Sequence, residues 1–360
     1  MMTLRQFAGK PDVIPTSTVW ALAELSEARG RQALFTKQSP QRLKVLREHA
    51  LIESAVSSNR IEGVVVDQRR IGTLMFGKPL LRDRNEEEVQ GYRDALKRIH
   101  EQGVDSPVSE QTIRALHRIM RRTSWDAGAY KQRDTDIIER DAMGRQWVRF
   151  KTVEAAKTKA AMRALIQLWH RCLEERWVHP LVALASFNLD FLCIHPFRDG
   201  NGRVSRLLFL LQSYRLGYEV GRYISVERII EQHKDRYYDT LERSSKGWHQ
   251  GRHDPWPCVN YLLFILQTAY KEFEARLGDT PSPKGAKTAH VQATIDSMTG
   301  RFTRSSLERA CPGASRELIR RILKELQREG KVECLGRGPG AAWRKKGYDP
   351  EKRVTKRVQK

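Results

Sequence analysis

The chain has 360 residues, 40% hydrophobic and 30% charged, with a formal net charge of +22. That length allows about two or three domains with ordinary packed cores, and the excess of Lys and Arg favours polyanionic partners. No stretch approaches the ~20 apolar residues of a membrane span, and no apolar segment follows Arg5 and Lys10, so neither an anchor nor a secretory leader is expected.

Residues 1 to about 40 predict an arm or a short helix. In "SPQRLKVLREHALIESAVSSNRIEG", Leu43, Leu46, Ala50, Leu51 and Val56 recur at helical spacing and Gly63 is the expected stop. Glu62 then falls in the last turn, at the negative pole of the helix, where a carboxylate wants a cation. "NEEEVQGYRDALKRIHEQG" carries acids in its first turn and Gly103 past its end, and "SEQTIRALHRIMRR" makes a third helix. "TDIIERDAMGRQWVRF" has two short runs around a Gly-containing turn and predicts a β-hairpin.

Helices resume at "VEAAKTKAAMRALIQLWHRCLEE". The stretch "LVALASFNLDFLCIH" is apolar nearly all round and predicts a buried central helix. "RVSRLLFLLQSYRLG", "VERIIEQHKDRYYDTLERSSKG" and "WPCVNYLLFILQTAYKEFEARL" complete a helical body. "GDTPSPKGAK" reads as a linker. Beyond it, "HVQATIDSMTG", "TRSSLERACPG" and "SRELIRRILKELQREG" predict three helices, and "KVECLGRGPGAAWRKKG" predicts strand, Gly-rich turn, strand. That is a winged-helix pattern. Arg316, Arg320 and Arg321 lie off its apolar stripe, and Arg337, Arg344, Lys345 and Lys346 stand in the wing and tail. DNA and a protein partner are both compatible with such a module. The last 18 residues hold eight Lys/Arg against two acids, a basic tail.

The expected fold is therefore mainly α: a helical bundle with a β-hairpin, then a small α+β winged-helix domain. Its parts are an N-terminal helical region (1–103), a core (104–277), a linker (278–287), the winged helix (288–347) and the tail (348–360). The five cysteines are scattered with no CxxC spacing, which suits reduced thiols in a cytoplasmic protein. His249 and His253 share an HxxxH spacing, but the Gly and Pro around them argue against a zinc helix.

"HPFRDGNGRVSR", residues 195–206, concentrates the chemistry. Pro196 stops one helix, and Gly200 and Gly202 let the backbone turn and approach a ligand closely. The unpaired N–H groups of the next helix make an anion site. Asn201 adds an amide, and Arg203 and Arg206, three apart, can both reach phosphate oxygens. Asp199 is suited to Mg²⁺, which typically takes one or two carboxylates along with phosphate oxygens. His195 at the mouth has a side chain suited to removing a hydroxyl proton near neutral pH. These are parts of a nucleotide-dependent transferase.

The same residues match HPFx[D/E]GNGRxxR at every specified position, and the chain thereby resembles the Fic (Fido) family. The resemblance extends more weakly over about residues 40–245, through "EEEVQGYRDAL", "GAYKQRDTDI" (with Lys131 where Arg is common) and "YYDTL". It departs at the hairpin's exit, "VRFKTV", where Pro-Pro is often found. The resemblance implies transfer of AMP from Mg²⁺-ATP to a Ser, Thr or Tyr hydroxyl of a target protein, with self-modification and a homodimer as further expectations. His195 would be the general base and Asp199 the Mg²⁺ ligand. Gly200, Asn201, Gly202 and Arg203 would cradle the α- and β-phosphates, and Arg206 would reach the γ-phosphate. Tyr237 and Tyr238 would lie near the adenine, and Thr135, Asp136 and Ile137 would form the flap that docks a target segment. "SNRIEG" fits the family's inhibitory [S/T]xxxE[G/N], so Ser58 and Glu62 would belong to an inhibitory helix, with Glu62 taking Arg206 from the nucleotide. Two rival readings stand beside this one. One is a DNA-binding regulator with an idle Fic body; the other is a related transferase using another nucleotide or removing AMP.

Overall fold

Short polar side chains set several of the helix boundaries. Asp67, Asp83 and Ser109 each accept a hydrogen bond from a first-turn amide, satisfying donors that the helix itself leaves unpaired. The computed structural model describes residues 2–346 apart from 9–12, 37–39, 78–79, 141–142, 279–285, 299, 312–313, 337 and 339. The chain divides into two units, Met1–Leu277 and Gly278–Lys360.

The first unit opens with α1 (Thr3–Gln6), α2 (Thr16–Thr36), α3 (Pro40–Ile61), α4 (Gln68–Phe76), α5 (Arg84–Gln102) and α6 (Glu110–Met120). The antiparallel hairpin β1 (Ile137–Arg140) and β2 (Gln146–Phe150) follows, with a register shift between Ile137 and Ile138. Then come α7 (Ala155–Glu174), α8 (Pro180–Ile194), α9 (Asn201–Arg215), α10 (Val226–Gln232), α11 (Lys234–Ser245) and α12 (Trp256–Gly278). The axis of the unit is the α8–α9 pair. Leu181 to Phe191 are buried on every side of α8, as are Val204 to Leu211 of α9. A helix buried all round needs no amphipathic stripe, which is why α8 reads as a continuous apolar run.

Residues 16–36, expected to lie in an arm or short helix, form a 21-residue helix, because Leu22, Leu25 and Ala28 give a narrow stripe that packs on the core. The predicted continuous helix after Ser225 breaks at His233 into α10 and α11. The nine-residue α4 has no counterpart in the sequence reading.

The second unit contains α13 (Ala286–Ser297), β3 (Arg301–Thr303), α14 (Arg304–Ala310), α15 (Arg316–Arg328), β4 (Val332–Cys334) and β5 (Ala342–Lys345). Its sheet has the order β3-β5-β4, antiparallel throughout. Val291, Ile295, Phe302, Leu307, Ile319, Ile322 and Leu323 belong to a core of its own. Strand β3 adds a third member to the expected two-stranded hairpin. Most of the expected linker, Arg337 and the basic tail lie outside the described residues. Among the described residues no helix is long and apolar enough to cross a membrane.

Candidate functional site

Helix α8 ends at a strained residue. His195 takes φ 52° and ψ 61°, a left-handed conformation that costs a non-glycine residue about 1–2 kcal/mol. The turn is clamped on both sides by Lys131: its N–H donates to the Pro196 carbonyl at 2.9 Å, and its Nζ donates to the Ile194 carbonyl at 3.3 Å. Nδ1 of His195 lies 3.3 Å from the Leu192 carbonyl, which can only accept, so the proton sits on Nδ1 and the Nε2 lone pair is free. Burial, and then the nearby Lys131 charge, push the imidazole down to about 4, so it is neutral at pH 7. Burial likewise lowers Lys131 to about 8.

Gly200, at φ +82°, makes the turn into α9. His117 braces that turn from α6. Gly128 N–H donates to its Nδ1 at 2.8 Å, which leaves Nε2–H to donate to the Asp199 carbonyl at 3.1 Å. Its ring stacks on Phe197 with centroids 3.8 Å apart. The amide of Asn201, expected to face a ligand, instead spends both ends on the loop: Oδ1 accepts from Phe197 N–H at 2.9 Å and Nδ2 donates to the Phe197 carbonyl at 2.7 Å. Arg203 points into a buried polar network, donating to Asn59 at 3.1 Å and Glu88 at 2.7 Å. Glu88 also accepts from Arg121 at 2.6 Å and Arg84 at 2.9 Å.

Asp199 sits among the same cations, with Arg121 at 3.1 Å, Arg84 at 3.2 Å and Arg203 at 3.6 Å. Burial alone would raise its carboxyl, but Arg121, Arg203, the Gly200 N–H and Arg84 outweigh it and hold it below the ordinary value. Its side chain is 44% exposed and lines a wide cleft of about 760 Å³ together with Arg84, Arg121 and Trp125.

The partner of Glu62 is Arg206. Helix α3 ends at Ile61, one residue earlier than expected, and Gly63 at φ +81° closes the turn. Arg206, 2% exposed, donates to Glu62 Oε1 at 2.8 Å, to Ser58 Oγ at 2.8 Å and to the Ser58 carbonyl at 2.9 Å. Burial works against the Arg206 charge, but Glu62 outweighs it, and the guanidinium is held above its ordinary value. The carboxylate also fills the space over Gly202: a Cβ there would lie 2.3 Å from Glu62 Oε1.

One cavity of about 240 Å³ gathers Glu62, His195, Gly202 and Arg206 with Tyr237, Tyr238, Asp136 and Ile137. Ser58, Thr135, Asp199, Gly200, Asn201 and Arg203 do not line it. Thr135 and Asp136 are tied to the hairpin's exit: Thr152 donates its hydroxyl to the Thr135 carbonyl at 2.6 Å and its N–H to Asp136 at 3.3 Å. Thr152 in turn accepts from Lys131 Nζ at 2.7 Å, which links the hairpin's base to the His195 turn. Glu88, Asn59, His117 and Arg149 escaped the sequence reading. Glu88 was visible only as one first-turn acid among three, and Arg149 only as part of the departing "VRFKTV".

Residues 107–213 match the Fic/DOC family model. Two curated relatives are each named protein adenylyltransferase Fic. The one from Culex quinquefasciatus is 35% identical over 79 residues, 22% of this chain and 15% of its own length. The one from Aedes aegypti is 39% identical over 69 residues, 19% of this chain and 13% of its own length. The chain thus spans less than a sixth of either relative. A Fic family protein of known structure from Desulfovibrio desulfuricans G20 shares the fold with a TM-score of 0.61 at 24% identity, covering 94% of this chain and 98% of its own. The chain thus contains a Fic-type domain, matched over residues 107–213.

Proposed function

We propose that the chain is an auto-inhibited protein adenylyltransferase, using ATP to modify a hydroxyl side chain of a target protein. The observation that carries this reading is the 2.8 Å pair between Glu62 and buried Arg206, set in the cavity that also holds His195. A guanidinium beside unpaired helix-start amides is a phosphate site, and a carboxylate occupying it competes with phosphate. The neutral His195, with Nε2 free, takes the proton of the target hydroxyl. The hydroxyl oxygen then bonds to the α-phosphorus and the bond to pyrophosphate breaks. The amides at the start of α9 and Arg206 stabilise the phosphate charge, so catalysis is mostly positioning and electrostatics. With Glu62 in place the polyphosphate is misplaced for attack.

A single half-exposed carboxylate, Asp199, fits a hard cation that takes its remaining ligands from phosphate and water. Mg²⁺ held there would neutralise phosphate charge. The competing hold of Arg84 and Arg121 on the same carboxylate leaves the nucleotide as the larger contributor to that site.

The test is AMP incorporation from labelled ATP, with GTP, UTP and CTP in parallel and intact-mass analysis for self-modification. Glu62→Gly is expected to raise transfer about 100-fold or more, the scale of a misplaced reacting group. His195→Ala is expected to abolish transfer in either background. Equal rates for Glu62→Gly and wild type remove the inhibitory role; transfer by His195→Ala removes the base.

We also infer that the second unit is a winged-helix module with nucleic acid as its partner. Support comes from a groove of about 630 Å³ whose charged lining is Arg304, Arg320 and Lys324, with no acidic side chain.

A further inference from the structure

Arg149 on β2 lines the cavity beside Glu62, His195, Arg206 and Tyr238. Its guanidinium carbon lies 5.8 Å from the centroid of the Tyr238 ring. Its Nε is buried without a hydrogen-bond acceptor, and Arg149 forms no ion pair among the described residues. Arg206 Nη1 and Arg203 Nε are also buried without an acceptor, but those side chains are otherwise held: Arg206 by Ser58 and Glu62, Arg203 by Asn59 and Glu88, as is Lys131 by Thr152 and Ile194. A guanidinium is always charged and presents planar donors matched to phosphate, while its face can rest on an aromatic ring. A buried donor without an acceptor is unfavourable, and one that lines an open cavity has room for a partner.

We propose that Arg149 is a phosphate-contacting residue, supplied by the hairpin to the nucleotide that the cavity takes. This inference rests on the nucleotide reading of that cavity. Phosphate is favoured over the base because the cavity's own acids are committed: Glu62 pairs with Arg206 and Asp136 accepts from Thr152. A polyphosphate supplies the anionic oxygens that Arg149 lacks; a nucleobase carries no charge. The consequence is a coupling. Strand β2 is paired with β1 through Ile137↔Phe150 and Ile138↔Val148, so an Arg149–phosphate contact fixes the hairpin as nucleotide binds.

The experiment uses the full chain carrying Glu62→Gly, alone and combined with Arg149→Ala or Arg149→Lys. Calorimetry measures binding of ATP, inorganic tripolyphosphate and adenosine, with the melting temperature of each free protein as a fold control. Arg149→Ala is expected to weaken ATP and tripolyphosphate about tenfold or more, the scale of one charge-assisted hydrogen bond, and to leave adenosine unchanged. Arg149→Lys recovers part of the loss, and KM for ATP rises while kcat changes little. Unchanged tripolyphosphate binding, an equal loss for adenosine, or a lowered melting temperature of free Arg149→Ala overturns the proposal. Absence of ATP binding by the Glu62→Gly parent itself removes the nucleotide reading, and this inference with it.

Discussion

His195 is held in a backbone conformation that glycine adopts freely and histidine does not. Lys131 holds it there from two sides and, after burial, is the main cause of its lowered pKa. The sign of its removal follows directly. A neighbouring positive charge disfavours the imidazolium, so Lys131→Met raises the His195 pKa from about 4 part of the way toward the ordinary histidine value, leaving burial as the lowering cause. In Lys131→Arg the charge stays and the titration stays low. The Cε1–H resonance of His195, followed by NMR against pH, reads this without relying on turnover. The acid limb of the transfer rate moves to higher pH in the Met variant, because the base is protonated over a wider acid range. An unchanged His195 titration in Lys131→Met refutes the role. The position was visible in the sequence as a lysine where arginine is common. What it touches was not, because Ile194 and Pro196 stand more than sixty residues away along the chain.

At the scale of elements, legibility followed how far a signal depends on distant partners. Helix α8 announced itself because every side is buried, and residues 195–206 did so because the site's polar groups are contiguous there. The narrow stripe of α2, the nine residues of α4 and the three of β3 carry too little periodicity, and β3 exists only because β5 pairs with it. The position of α3 is set by another such long-range contact. Buried Glu227 on α10 accepts from Ser54 of α3 at 2.7 Å and from Tyr92 of α5 at 2.8 Å, joining the helix that leads into Glu62 to its two neighbours. Glu227→Ala removes the buried acceptor shared by Ser54 and Tyr92 and leaves a cavity, an expected cost of about 2–5 kcal/mol. Thermal melting measures that loss. Hydrogen exchange at the amides of 55–62 is expected to speed up, and AMP transfer to rise above the wild-type level as the Glu62–Arg206 contact loosens. Unaltered exchange in 55–62 shows that α3 is held by something else.

For the whole molecule, the formal charge of +22 is the feature read from composition alone; it is what is left after every acid has cancelled a base, and composition does not say which cations are open to a partner. Arg203, Arg206 and Arg121 face Glu88 and Glu62 inside the first unit and offer no surface to a partner. In the second unit Arg344 pairs with Glu333, and Lys345 donates to the Asp296 carbonyl at 2.6 Å. One cationic surface of the second unit is the groove of Arg304, Arg320 and Lys324, although Glu308 lies 3.4 Å from Arg304. Arg320 and Lys324 are exposed on α15, four apart and so on one face. Three phosphate contacts from this groove give a slope of log K against log[salt] of about −2.7 for duplex DNA, steeper if the basic tail joins. Arg320→Ala is expected to weaken binding alike across sequences and to flatten the slope by about 0.9, one phosphate's share. Fluorescence anisotropy of a labelled duplex against the full chain, from 50 to about 200 mM salt, measures both. A slope near zero, or an Arg320→Ala slope equal to wild type, takes nucleic acid away from this groove and leaves it to a protein partner.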